Sequence, residues 1–150
     1  MYKRQERGLA KLLRRLPGKK VLLTNAPRRY SHEVIRHLGL HRHLASHIPI
    51  ESMTVHGRLR PKPSRALLRK LIAAEGVPAR RCILVEDTVD NLRSAKALGM
   101  RTAWITQYLP RRQEQLRRPR LSHAGRAGYI DVKVKSVRQL PASLRRLTRA

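Results

Sequence analysis

The chain has 150 residues, with 35 Lys and Arg against nine Asp and Glu, and a formal charge of +26. Its single cysteine, Cys82, excludes an internal disulfide and any all-cysteine metal site. No apolar stretch approaches the roughly 20 residues of a membrane span, nor is there a signal-peptide-like apolar segment, so the expectation is a soluble, cytoplasmic protein.

One domain is the default for this length, and the 41% hydrophobic content supports a modest core. With no Phe and one Trp, that core is aliphatic. Of the basic residues, 26 are Arg and nine are Lys, spread through every segment. Such a charge attracts polyanions. Its dispersion fits a generally basic surface, and Arg-heavy usage also follows from a GC-rich coding sequence. Nucleic acid therefore stays the alternative partner rather than the favoured one.

In chain order, residues 1–5, MYKRQ, resemble the translation of a transposase sequencing adapter. This reading makes them a scar, and residues 6–150 a domain cut from a longer gene. Leu9, Leu12, Leu13 and Leu16 have helical spacing within Arg7–Leu16, and Pro17-Gly18 stops that helix. Val21–Leu23 reads as a short buried strand ending at Thr24-Asn25. Ser31 is the expected cap of a helix reaching Leu38, closed by Gly39. Between His41 and Arg60, Ile48 and Ile50 suggest a short strand, followed by an irregular stretch around Gly57.

Arg60–Ser64, RPKPS, reads as a stiff loop with a helix cap at Ser64. The helix has Leu67, Leu68, Leu71 and Ile72 as its core stripe and Gly76 as its stop. Cys82–Val85 is a continuous apolar run, suited to a strand buried on both faces, with Cys82 a packing residue. It ends in Glu86-Asp87. Val89, Leu92, Ala95 and Leu98 predict the next helix, stopped by Gly99, and Thr102–Ile105 the next strand. Pro110–Gly128 reads as a long loop, with a short helix near Gln113–Arg117. Tyr129–Val134 alternates like a strand, and Ala142–Leu147 closes the chain as a helix. Alternating elements of this kind predict α/β architecture, a parallel sheet with helices on both faces. Ligands in such sheets bind at the C-terminal ends of the strands, where Thr24-Asn25 and Glu86-Asp87 fall.

Phosphoryl transfer needs an in-line nucleophile, donors and cations around the oxygens, and usually a metal. A strand-end hydroxyl such as Thr24 can donate to a phosphate oxygen. Lys62 is a compact cation between two prolines that limit its backbone freedom. Glu86 and Asp87 are adjacent carboxylates in a chain poor in acids, and carboxylate oxygens suit Mg²⁺. Each feature alone is common; an Asp-Thr pair before a helix is first of all a cap. Their order is more specific.

The segments LLTNAPR, RPKPS and CILVEDTVDNLRSAKALGMRTAWI resemble the second, third and fourth motifs of the haloacid dehalogenase (HAD) superfamily, and most closely its pyrimidine 5′-nucleotidase branch. YIDVKVKSVRQLPASL resembles that branch's closing strand and helix, so the likeness runs from Leu9 to Leu147. The resemblance implies a Rossmann-like core and a Mg²⁺-dependent hydrolase of phosphate monoesters, nucleoside monophosphates among them. By the same resemblance Thr24 binds the phosphoryl oxygens, Asn25 lines that pocket, and Lys62 neutralises the phosphate and positions the nucleophile. Asp87 binds Mg²⁺ with Glu86 as a second, water-mediated ligand. Asn91 orients a metal-bound water, and Asp90 is left as helix surface.

The departure is in the first motif, Asp-x-Asp, which carries the family's nucleophile on the central strand. The first Asp here is Asp87. The helical cap domain that shapes substrate choice has no counterpart either. The resemblance therefore implies an incomplete core, lacking its N-terminal strand and cap, with exposed strand edges and no activity by itself. The alternatives are a catalytically dead module that binds nucleic acid or another polyanion, and a subunit whose sheet is completed by a partner chain.

Overall fold

The computed structural model describes residues 8–107 and 128–148. The chain divides into two compact units, one ending at Lys62 and one beginning at Pro63. The expected helix at Gln113–Arg117, most of the surrounding loop, and residues 1–5 lie outside the described residues.

The first unit opens with α1, Leu9–Arg15, entered from Gly8 at a φ of 118° that favours glycine. β1, Val21–Leu23, pairs in parallel with β2, Ser46–Ile48, and the crossover between them is α2, Arg28–His37. Ser31 was the expected cap of α2, but the helix begins three residues earlier. Pro27 stands at the cap position without a side-chain bond, and the Glu51 carboxylate accepts the Arg28 N–H at 2.9 and 3.0 Å. An anion there satisfies an orphan donor and opposes the helix dipole. Ser31 instead lies inside the helix, its hydroxyl donating back to the Pro27 carbonyl at 2.8 Å.

β3, Thr54–Val55, and β4, Arg58–Leu59, form an antiparallel hairpin in the stretch expected to be irregular. Its two-residue turn is His56-Gly57, with φ values of 49° and 71°. Two left-handed residues make the primed turn whose twist matches paired strands.

In the second unit, α3 spans Arg65–Glu75. Ser64 Oγ accepts the Leu67 N–H at 3.2 Å and Gly76 closes the helix at φ 64°, both as the sequence predicts. β5, Ile83–Glu86, β6, Arg101–Ile105, and β7, Val132–Val134, form a parallel sheet in the order β5-β6-β7. α4, Val89–Lys96, links β5 to β6, and α5, Leu140–Thr148, follows β7. Val89, Leu92, Trp104 and Ile130 make the core cluster, with Leu84 and Tyr129 packed against it. In the central strand, Thr102, Ala103, Trp104 and Ile105 are all buried. β5 departs from expectation: it is not buried on both faces, and Val85 is 37% exposed. Among the described residues β5 pairs only with β6, so it is an edge strand. Cys82 is half-buried rather than buried, and its thiol is pushed up by desolvation and by the Glu75 charge.

Where β6 begins, Asp131 ties the sheet together. One of its oxygens accepts the Thr102 N–H at 2.8 Å, and the other takes Lys96 Nζ at 2.6 Å. Burial alone raises the Asp131 carboxyl, but the Lys96 and Thr102 hydrogen bonds outweigh it and hold it below its ordinary value. No described helix is long and apolar enough to cross a membrane.

Candidate functional site

The residues singled out in the sequence fall into two groups, one in each unit. In the first unit, Thr24 leaves the end of β1. Its N–H donates to the Ile48 carbonyl at 3.1 Å, continuing the parallel ladder by one residue. Its Oγ1 accepts the Ala26 N–H at 3.1 Å. That bond fixes the side chain through the oxygen lone pair and leaves the hydroxyl hydrogen as the group it offers a ligand.

Asn25 and Lys62, 37 residues apart, are joined by two reciprocal bonds. Asn25 Nδ2 donates to the Lys62 carbonyl at 3.1 Å, and the Lys62 N–H donates to Asn25 Oδ1 at 3.0 Å. An amide matched in this way to the main-chain N–H and C=O of one residue acts as a local splint. It fixes the Lys62 backbone between Pro61 and Pro63 beside the end of β1. Sequence reading did not foresee this bond between the Asn25 amide and the lysine's main chain. The signal was the isolated Asn after an apolar strand, and its partner is too distant in sequence to be inferred.

Behind them lies a second polar cluster. The Ser31 hydroxyl lies 2.8 Å from the Pro27 carbonyl, 3.3 Å from that of Arg28 and 2.9 Å from His47 Nε2, with the donor between the two side chains set by the His47 tautomer. His47 is held below its ordinary value by burial, then by the charges of Arg28 and His32, with Glu51 opposing.

In the second unit, β5 ends in Glu86 and the chain turns through Asp87 and Thr88 into α4. Glu86 Oε1 accepts the N–H groups of Asp87 and Thr88 at 3.1 and 3.4 Å. Glu86 therefore shapes the turn as well as adding charge to it. Thr88 stands at the cap position but makes no side-chain capping bond. Its hydroxyl donates to Asp87 Oδ1 at 3.1 Å, and the Asp87 carboxylate is exposed. Asn91 is 7% exposed on α4. Asp90 faces outward and pairs with Arg93 at 3.2 Å, in line with a helix-surface role.

No set of three or more His, Cys, Asp or Glu side chains able to enclose a metal occurs among the described residues. A Zn²⁺-type cage is therefore not assembled from them. Mg²⁺ makes a smaller demand, one or two carboxylates with water and phosphate completing its octahedron. The exposed Asp87 carboxylate beside Glu86 fits that requirement.

The model of the haloacid dehalogenase-like hydrolases matches residues 6–99. Among solved structures, the chain resembles a conserved haloacid dehalogenase-like protein of unknown function from Agrobacterium tumefaciens, with 22% identity over 97% of this chain and a TM-score of 0.71. The L-2-haloacid dehalogenase of Xanthobacter autotrophicus gives 18% identity, 92% coverage and 0.69. A HAD phosphatase from Thermococcus onnurineus gives 19%, 90% and 0.65. The chain spans 65%, 60% and 54% of the lengths of those three structures. No protein of curated function matches it. At these identities the structures speak for the fold, α/β of the HAD type, while the family match covers well over half of the sequence: the chain belongs to the haloacid dehalogenase-like hydrolases.

Proposed function

We propose that this chain is the phosphate- and metal-handling part of a Mg²⁺-dependent phosphomonoesterase of the pyrimidine 5′-nucleotidase type. The observation that carries the reading is the pair of splinted groups: the Lys62 peptide locked to Asn25 beside Thr24, and the Asp87 turn held by Glu86. Both place charge or donors at strand ends, where α/β sheets present their ligands.

In this reading Thr24 donates its hydroxyl hydrogen to a phosphoryl oxygen. Lys62 neutralises the phosphate, its approach fixed through the Asn25 splint. Asp87 holds Mg²⁺, Glu86 adds a water-mediated contact, and Asn91 orients a metal-bound water. When bound, the ion supplies charge neutralisation on the phosphoryl oxygens and orients the phosphate for in-line attack. The nucleophilic aspartate belongs to an Asp-x-Asp segment that this sequence does not contain ahead of Asp87. The chain alone is accordingly expected to be inactive. Dehalogenation, the activity named for the Xanthobacter structure, needs no cation for a phosphate. Lys62 and the two adjacent acids favour phosphate over a haloacid.

The test is to fuse an Asp-x-Asp strand segment to the chain and assay a panel of pyrimidine and purine nucleoside monophosphates together with a 2-haloacid. Phosphate release that requires Mg²⁺ and disappears in Lys62→Ala and Asp87→Ala is the expected result. Halide release, or full phosphatase activity in either variant, overturns the assignment.

A further inference from the structure

The chain contains one tryptophan and no phenylalanine. That lone indole lies in the middle of β6, 2% exposed and packed with Val89, Leu92 and Ile130. A leucine would fill apolar space without bringing a buried N–H that needs a partner. Here the N–H has one: Trp104 Nε1 donates to the main-chain carbonyl of Asp87 at 3.0 Å.

The position of that carbonyl is informative. Asp87 is past the end of β5, whose last ladder residue, Glu86, pairs with Trp104. It also precedes the first turn of α4, where the Leu92 N–H reaches back only to Thr88. The Asp87 carbonyl thus sits at the join between strand and helix, where the indole N–H gives it a fixed hydrogen bond from the core. The same peptide region is gripped from the other side, where the Asp87 N–H donates to Glu86 Oε1. The Asp87 main chain is held at both its N–H and its carbonyl by side chains of the two paired residues Glu86 and Trp104. Lys133, which pairs with Trp104 across β7, lies with Nζ 5.0 Å from the indole centroid. A cation over the ring withdraws electron density and strengthens the indole N–H as a donor.

We propose that Trp104 is a positioning residue for the metal carboxylate: its indole N–H anchors the Asp87 peptide so that the Asp87 side chain presents one orientation to a divalent cation. The inference rests on the reading of Asp87 as the Mg²⁺ ligand. It adds a control that reaches from the core of the second unit to the Asp87 turn. Groups that orient a metal ligand from behind are typically worth about 10–100-fold in metal affinity.

The full chain can be tested without catalysis, using Mn²⁺ as the probe, by titration calorimetry or by the loss of the free-ion EPR signal. Trp104→Phe keeps an aromatic ring in the core and removes the N–H together with part of the indole's bulk, a packing loss that a core truncation elsewhere in the unit gauges separately. It is expected to weaken Mn²⁺ binding about tenfold, while Leu67→Ala, a truncation of a buried leucine on α3, leaves affinity within about twofold. Asp87→Asn abolishes binding. Unchanged affinity in Trp104→Phe, with loss in Asp87→Asn, overturns the inference and leaves the metal reading standing. Unchanged affinity in Asp87→Asn overturns the metal reading and this inference with it. As the only tryptophan, Trp104 also reports directly in the unaltered chain. Mg²⁺ is expected to shift its emission in wild type and not in Asp87→Asn, and a silent titration of a Mn²⁺-binding chain contradicts the coupling even if Trp104→Phe fails to fold.

Discussion

The two units hold their candidate residues by different physics. In the first, the two-stranded sheet is only partly covered, and Val21 of β1 is 37% exposed. Its polar residues are fixed by side chains that bond to the main chain: Asn25 to Lys62, Glu51 to Arg28, Ser31 to Pro27. In the second, the Asp87 turn stands on a core whose centre, Leu92, is 0% exposed, and a core side chain reaches up to it. Single polar bonds are worth about 0.5–1.5 kcal/mol and apolar truncations about 2–5 kcal/mol. The first arrangement is therefore easy to misalign without unfolding, and the second is hard to disturb without losing stability.

The largest expected effect is in the second unit. Leu92→Ala should destabilise it by about 2–5 kcal/mol, the range for truncation of a fully buried leucine. A loss well under 1 kcal/mol in denaturant unfolding would deny that the turn stands on a packed core. Next comes Asp131→Ala, which leaves the Thr102 N–H, on a residue 0% exposed, without its acceptor. A cost of about 1–3 kcal/mol follows at neutral pH. Asp131 is held below the ordinary aspartate value, so its contribution is complete above that value and is lost as pH falls through the lower folded value. The gap between wild type and variant should close in acid below about pH 4, and a gap that widens there contradicts the network.

Smaller still is Asn25→Ala, with two bonds lost at an exposed position and an expected cost of about 1 kcal/mol. In the fused phosphatase its effect on turnover should exceed its effect on stability, since it frees the Lys62 backbone. Equal, minor effects on both would remove the splint from the account. The smallest effect is the pH response of the first unit. His47 is depressed below 6.5, so protonation favours the unfolded form, and its stabilisation is full above pH 6.5 and erodes as pH falls through the folded value. Hydrogen exchange should show β2 loosening between pH 7 and 5 while β6 stays protected, with the response absent in His47→Gln.

What could be read from the sequence follows the same division. Local signals were reliable where the physics is local. The Ser64 cap, the Gly76 stop and the apolar spacing of α4 predicted their elements closely, because each is satisfied within one turn. The start of α2 was misplaced because its anion, Glu51, comes from 23 residues away. The β3–β4 hairpin went unseen because each strand has two residues, and only Gly57 of its turn is a recognisable signal while His56 adopts φ 49°. Val85 was expected inside because an apolar run does not reveal a sheet edge. Thr24-Asn25 and Glu86-Asp87 stand at the ends of β1 and β5, where the strand pattern put them. The residues that hold them, Asn25 through its amide and Trp104 through its indole, depend on contacts made only in the fold. A lone tryptophan in a phenylalanine-free chain was the one hint available.

The central claim, that Thr24, Lys62 and Asp87 serve a phosphate monoester but need an aspartate from outside this sequence, is tested most directly by phosphate release. The purified 150-residue chain is incubated with a pyrimidine nucleoside monophosphate and Mg²⁺, alone and fused to an Asp-x-Asp segment. The account predicts no release above background from the chain alone, and Asp87-dependent release from the fusion. Mg²⁺-dependent release by the chain alone, or release from the fusion that survives Asp87→Ala, would contradict it.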